Sequence, residues 1–202
     1  MTIIESCKKN QEHVEAPLVY VTGSLFLYQC FKYLTSMGEN EGLHFVTGIK
    51  LGRIMTLDYM QKVVIKSQSQ VHAEADLNSL FQHLIFADER FGHYFHAYFH
   101  SHPGNNSHPS GFDMDYQIRL EAGGYKTIGG IFTRDGQMRF FSHKLPFIIE
   151  IYGKGVEQID DTLFRFTEAC FPESKARSKD TSDGSTGNGQ AEQNNGLQPG
   201  NG

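Results

Sequence analysis

Five of the ten histidines fall within sixteen residues: His93, His96, His100, His102 and His108. Imidazole binds metals when neutral and moves protons near neutral pH, so such crowding invites a chemical reading. The pair His100-Ser101-His102 is the informative part. On an extended chain a spacing of two puts both rings on one face, where they can converge on one ion. If the strand continues through His102, then His96, Tyr98, His100 and His102 share that face, and Phe95, Ala97 and Phe99 point into the core. Pro103 ends the pairing, and the loop from Pro103 to Pro109 turns the chain back so that Asp113 can reach the same place. Two histidines and one aspartate leave a fourth position open, the arrangement of a catalytic zinc and not of a closed structural one. Each part also has a plain reading. A histidine pair on a strand is common at surfaces, and Ser110-x-x-Asp113 before a helix is a capping box. His93, His96 and His108 read as surface or packing residues. Spacing alone reaches a candidate zinc hydrolase.

The run His100-Ser101-His102-Pro103, six residues, Ser110, two residues, Asp113 resembles the JAMM (MPN+) metallopeptidase signature at each of its fixed positions. The resemblance extends loosely over residues 17–152. It implies an α/β (α+β) domain of the MPN/JAB type, a mixed central β-sheet flanked by helices. It also implies one Zn²⁺ held by His100, His102 and Asp113, with Ser110 donating to the developing oxyanion and an upstream glutamate acting as general base. Two glutamates qualify, Glu39 and Glu41. Family members place a small residue three positions after the glutamate, apolar residues at four and five, and glycine at seven. From Glu41 these are His44, Phe45, Val46 and Gly48, with one mismatch; from Glu39 they are Gly42, Leu43, His44 and Val46, failing at the last two. The register therefore favours Glu41.

The same resemblance implies a zinc-dependent isopeptidase or peptidase that cleaves after the C-terminal Gly-Gly tail of ubiquitin or a ubiquitin-like protein. Its partners would be that protein and its conjugates, with activating or conjugating enzymes of the same pathway. The absence of long insertions looks more like the prokaryotic JAB type. Three other readings stay open: a metal-free MPN scaffold that only binds partners, a JAMM-type peptidase acting on small peptides or cell-wall fragments, and a relative working in DNA metabolism.

The elements that must position these residues are legible from periodicity. Residues 17–21 form a short strand, and residues 24–37 repeat Leu27, Phe31 and Leu34 at helical spacing before Gly38. Residues 43–51 and 53–59 read as strands joined at Gly52, with 63–66 as a third. Residues 73–90 form an amphipathic helix with Leu77, Leu80, Phe81, Leu84 and Ile85 on one face. Residues 93–100 are an aromatic-rich strand, and 113–122 are a helix ending at Gly123-Gly124. Residues 126–133 and 137–142 make a hairpin about Arg134-Asp135-Gly136, and 147–152 a last strand. Helices mixed with hairpins argue for helices packed on a sheet.

Composition sets the outer bounds. The 202 residues carry 18 Lys+Arg against 23 Asp+Glu, a net charge of −5, without the basic footprint of a nucleic-acid binder. No apolar run is long enough to span a membrane, and the first sixteen residues hold no stretch resembling a signal peptide. Cys7, Cys30 and Cys170 are odd in number and far apart, which suits a reducing, cytoplasmic compartment. Residues 172–202, rich in Gly, Ser, Asn and Gln, lack the apolar surface to offset the entropy of ordering and read as a disordered tail. The expected organisation is a polar segment over 1–16, one catalytic domain over 17–171, and that tail.

Overall fold

The computed structural model describes residues 16–168. The expected tail over 172–202, all but the last residue of the expected segment over 1–16, and both Cys7 and Cys170 lie outside them. The chain runs β1 (Leu18–Gly23), α1 (Ser24–Thr35), β2 (Leu43–Gly48), β3 (Lys50–Leu51), β4 (Ile54–Leu57), β5 (Tyr59–Lys62), β6 (Ile65–Ser69) and β7 (His72–Ala75). It continues with α2 (Leu77–Phe91), β8 (Tyr94–His102), α3 (Gly111–Ala122), β9 (Ile128–Thr133), β10 (Gln137–Phe141), β11 (Phe147–Tyr152), β12 (Val156–Gln158) and β13 (Leu163–Phe166). This is the mixed α+β architecture the alternating pattern implies. No helix among the described residues is long and apolar enough to cross a membrane.

The principal sheet has seven strands in the order β12-β13-β10-β9-β8-β2-β5, beside a four-stranded sheet β11-β1-β4-β3 and the hairpin β6-β7. β8 lies inside the large sheet, antiparallel to β2 and parallel to β9. A parallel pair needs a crossover, and α3 supplies it. The carboxyl end of β8, where such folds commonly place ligands, therefore opens into a loop that returns as α3.

Each face of the large sheet has its own cover. α1 buries Leu27, Cys30, Phe31 and Leu34, and Phe31 reaches Phe166 of β13. Phe99 packs on Phe132 and Phe140 from the neighbouring strands. Each such side chain withdrawn from water contributes roughly 1.5–3 kcal/mol. On the other face Leu43, Phe45, Tyr98, Ile131 and Phe141 form a cluster with Val63, Ala75 and Leu80, joined by Met114, Tyr116 and Leu120 of α3. This second cluster is the floor beneath the histidine pair. Turn glycines hold the ends in place: Gly52 (φ 64°) joins β3 to β4, and Gly136 (φ 83°) joins β9 to β10.

Five expectations are corrected. The strand expected over 43–51 is two strands in different sheets, β2 and β3. The strand expected over 63–66 breaks between β5 and β6, with Val63 turned into the core and Val64 left outside. The helix expected from residue 73 begins at Leu77. Asp76 caps it, its carboxylate accepting from the Ser79 N–H at 2.8 Å, and residues 72–75 alternate in β7 instead. Its apolar face is also narrower than the pattern implies. Leu80 and Ala87 are buried and Leu84 half-buried, one line of side chains, while Phe81 and Ile85 stand one step round the helix at 52% and 57% exposure. Finally, Phe95 does not share a face with Ala97 and Phe99. The register shifts at His96, so that Val46 pairs with Ala97 but Thr47 with Phe95. The extra residue reverses the alternation, and Phe95 joins Phe45 on the face of Tyr98.

Candidate metal centre

β8 continues to His102 as a regular strand, so His100 and His102 project to one side. Antiparallel register with β2 sets Leu43 opposite His100. One step further, Ser101 donates its N–H to the Gly42 carbonyl at 3.0 Å, and its Oγ accepts from the Gly42 N–H at 2.8 Å. Glu41 consequently emerges beside His102. From the other direction the capping box starts α3 where the sequence places it. The Ser110 hydroxyl accepts from the Asp113 N–H at 3.3 Å, and the Asp113 carboxylate accepts from the Ser110 N–H at 2.7 Å. The capping reading and the convergence on the histidines hold together, because the cap is what aims Asp113 at them.

The three donor atoms meet closely. His100 Nε2 and His102 Nε2 are 3.2 Å apart, His100 Nε2 and Asp113 Oδ1 3.2 Å, and His102 Nε2 and Asp113 Oδ2 3.6 Å. Ligand atoms at about 2.0–2.1 Å from a tetrahedral zinc stand about 3.3–3.4 Å from one another. The two imidazoles are spaced on that scale, and Asp113 presents one carboxylate oxygen to His100 and the other to His102. His100, His102 and Asp113 form a group that could hold a metal ion.

The surrounding bonds fit that chemistry. His102 Nδ1 lies 2.7 Å from the Asn106 carbonyl. A carbonyl can only accept, so Nδ1 carries the proton and Nε2 of the neutral ring turns a lone pair towards the centre. Tyr98 stacks against His100, packs edge-on against Tyr116 of α3, and donates its hydroxyl to the Asp113 carbonyl at 3.3 Å. Burial alone would raise the Asp113 carboxyl. The bonds from His100, His102 and Ser110 outweigh it and hold the group well below the usual carboxylate range. Burial alone would likewise lower His102, but Asp113 and the Asn106 carbonyl raise it.

The two glutamates part company. Glu41 is 12% exposed and places Oε1 4.0 Å from His102 Nε2, outside the group that could hold a metal ion. Burial raises its carboxyl, with His100 and His102 pulling the other way. Glu39 is 70% exposed and bonded to Arg134 at 2.7 Å. Of the remaining histidines, His96 is buried with Nδ1 on the Thr56 carbonyl at 2.9 Å, while His108 is exposed. Neither belongs to the metal-ligating group.

A groove of about 560 Å³ runs up to this centre. One wall is the continuous run Val71 to Ala75 of the β6-β7 hairpin; the other is α3, through Phe112, Tyr116 and Arg119. Leu43, Phe45 and Tyr98 form its floor. No family model matches the chain, and no curated protein does. Solved structures do. Protein DSY2949 from Desulfitobacterium hafniense superposes with a TM-score of 0.50 at 14% identity, covering 66% of this chain and 94% of that one. The likeness is one of fold. A JAB1/MPN domain protein from Archaeoglobus fulgidus, AF2198, gives a TM-score of 0.45 at 14% identity, over 65% of this chain and 98% of that one.

Sequence reasoning did not find Tyr98, Ser101 or Asn106, nor the hairpin wall. The first two lie inside the histidine run, where attention goes to the rings. Asn106 acts through its backbone, which leaves no signal in residue type.

Proposed function

We propose that this chain is a zinc metallopeptidase of the JAMM (MPN+) type, hydrolysing the amide or isopeptide bond that follows the extended C-terminal tail of a ubiquitin-like protein. The observation that carries the reading is the convergence of His100, His102 and Asp113 into a group that could hold a metal ion, with the Glu41 carboxylate 4.0 Å from His102. His100, His102 and Asp113 would hold Zn²⁺. The ion, when bound, supplies a Lewis acid that brings the pKa of a water towards ~7.

Glu41 takes the proton of the attacking water and returns it to the leaving amine. Its burial suits this task, because a carboxylate that protonates more readily than usual is a better carrier near neutral pH. Ser110 donates to the developing oxyanion. Its hydroxyl oxygen accepts from Asp113 in the helix cap, and a hydroxyl has one proton to give besides, so capping and catalysis draw on different parts of the group. Loss of one such donor costs about 10²–10³-fold in rate. The groove suits an extended peptide. A strand added along Val71–Ala75 would gain backbone bonds, and the apolar floor would hold the tail's side chains upstream of the scissile bond.

The test is a zinc measurement joined to hydrolysis of a ubiquitin C-terminal amide bearing a fluorescent amine. The reading expects about one zinc per chain and amine release that a chelator abolishes and Glu41→Ala prevents. A purified chain with no stoichiometric metal would support the metal-free scaffold instead. Zinc-loaded protein inert towards this amide but active on short peptides would move the substrate to that class.

A further inference from the structure

Glu41 stands on a backbone that the hairpin grips. The Glu41 N–H donates to the Ser69 carbonyl at 2.8 Å, and the Gln68 side-chain amide donates to the Glu41 carbonyl at 2.6 Å. Both main-chain polar groups of this one residue are therefore held by β6, although 27 positions separate Gln68 from Glu41.

The side chain of Gln68 points there because β6 is irregular. Ile65 pairs with Ala75 and Ser67 with Glu74, so Lys66 is an extra residue in the ladder. In a regular strand, Gln68, three positions after Ile65, would face the opposite side. The bulge reverses the alternation and sets Gln68 opposite Ala73, on the same face as Ile65 and Ala75. That face packs against the cluster beneath the metal centre. Residues of the same hairpin, Val71 to Ala75, wall the groove.

We propose that Gln68 is a positioning residue which, with the Ser69 carbonyl, fixes where the Glu41 carboxylate stands relative to the metal centre. The inference rests on the metal reading above and adds a residue to it. Gln68 acts through Glu41 and touches no reacting atom. Its amide is needed as a donor, because the Glu41 carbonyl can only accept.

The experiment is a double-mutant cycle read by Zn²⁺ affinity, using zinc alone in competition with a chromophoric chelator. A carboxylate beside the ligands attracts a divalent ion, and that attraction weakens as the group drifts away. Gln68→Ala in the full chain should weaken zinc binding about fivefold. In a Glu41→Gln background the same change should have no effect beyond measurement error, since no charge remains to be misplaced. Equal losses in both backgrounds would mean that Gln68 only braces the hairpin, and no loss in either would mean that Glu41 holds its place unaided; each overturns the proposal. Wild-type protein that binds no zinc overturns the metal reading itself and this inference with it. Wild type that binds zinc without the coupling removes this inference alone.

Discussion

His44 fills the position three residues after Glu41, and it sets how the domain responds to acid. The ring is fully buried, edge-on to Tyr33 and Phe99, and neither nitrogen has a hydrogen-bond partner. Burial pushes its pKa from the ordinary 6.5 down to about 3. An imidazolium there would have no counter-charge and no acceptor. Below pH ~6.5 the unfolded chain takes up a proton that the folded chain refuses until pH ~3. Stability contributed by the neutral ring is thus complete above 6.5 and is lost as the pH falls through that window. Well below 6.5 each unit of pH costs about 1.4 kcal/mol, so descending from 6.5, where the unfolded ring is already half protonated, to 4.5 costs roughly 2 kcal/mol, a large part of a typical domain's 5–15 kcal/mol. The perturbation is His44→Leu, a replacement of similar volume without a titrating group. The assay is urea unfolding of both proteins at several pH values, with a chelator present so that metal release does not enter. Every other titration is shared and cancels in the difference. Relative to the variant, the wild type should lose roughly 2 kcal/mol over those two units. Parallel curves would refute the reasoning and show that the folded protein accommodates the charged ring.

Other changes separate the roles at the centre. His102→Ala should abolish stoichiometric zinc, and full occupancy measured by mass spectrometry would refute its place as a ligand. Glu41→Ala should keep zinc and fold while losing hydrolysis, whereas Glu39→Ala, which removes only an exposed partner of Arg134, should remain active; the reverse pattern would exchange them. Ser110→Ala should cut turnover by about 10²-fold or more yet cost only about 1 kcal/mol as a lost cap, and melting curves with turnover numbers on the same samples separate the two. Tyr98→Phe removes the hydroxyl bonded to the Asp113 carbonyl and should weaken zinc binding severalfold, checked by the same chelator competition.

The fold was legible wherever a local pattern and a tertiary role agree. α1 repeats its apolar residues at helical spacing and buries those residues. The β9-β10 hairpin follows its Asp-Gly turn. Failures occur where tertiary contacts override local pattern. The residues from 73 to 75 extend the helical periodicity of α2 but pair with β6, because Asp76 caps the helix below them. Phe95 fits a clean alternation with Ala97 and Phe99, and one bulged residue at His96 turns it to the opposite face. Nothing in residue type marks such a bulge in advance. β12 and β13 were not anticipated because each is too short, at three and four residues, to show a period against its flanking polar residues.

The donor set, by contrast, was legible almost whole, since a strand fixes the spacing of two histidines and a capped helix fixes where the aspartate must start. The two glutamates show where sequence stops. Glu39 and Glu41 are two positions apart and share a parity, so only the match of the following residues to the resembled family sets them apart in sequence, and the structure adds a sharper distinction. That distinction is non-local. Arg134, from the far side of the sheet order, binds both the Gly38 carbonyl and the Glu39 carboxylate and holds them outward. Ser101 binds the Gly42 backbone, and β6 grips Glu41 between them. Gly42 has no room for a side chain there, because a Cβ would lie 2.9 Å from the Leu34 carbonyl. A carboxylate becomes a candidate base when the chain on both sides of it is tied down and its own surroundings are dry. Those ties come from residues 27 to 96 positions away, and residue type near the glutamates does not reveal them.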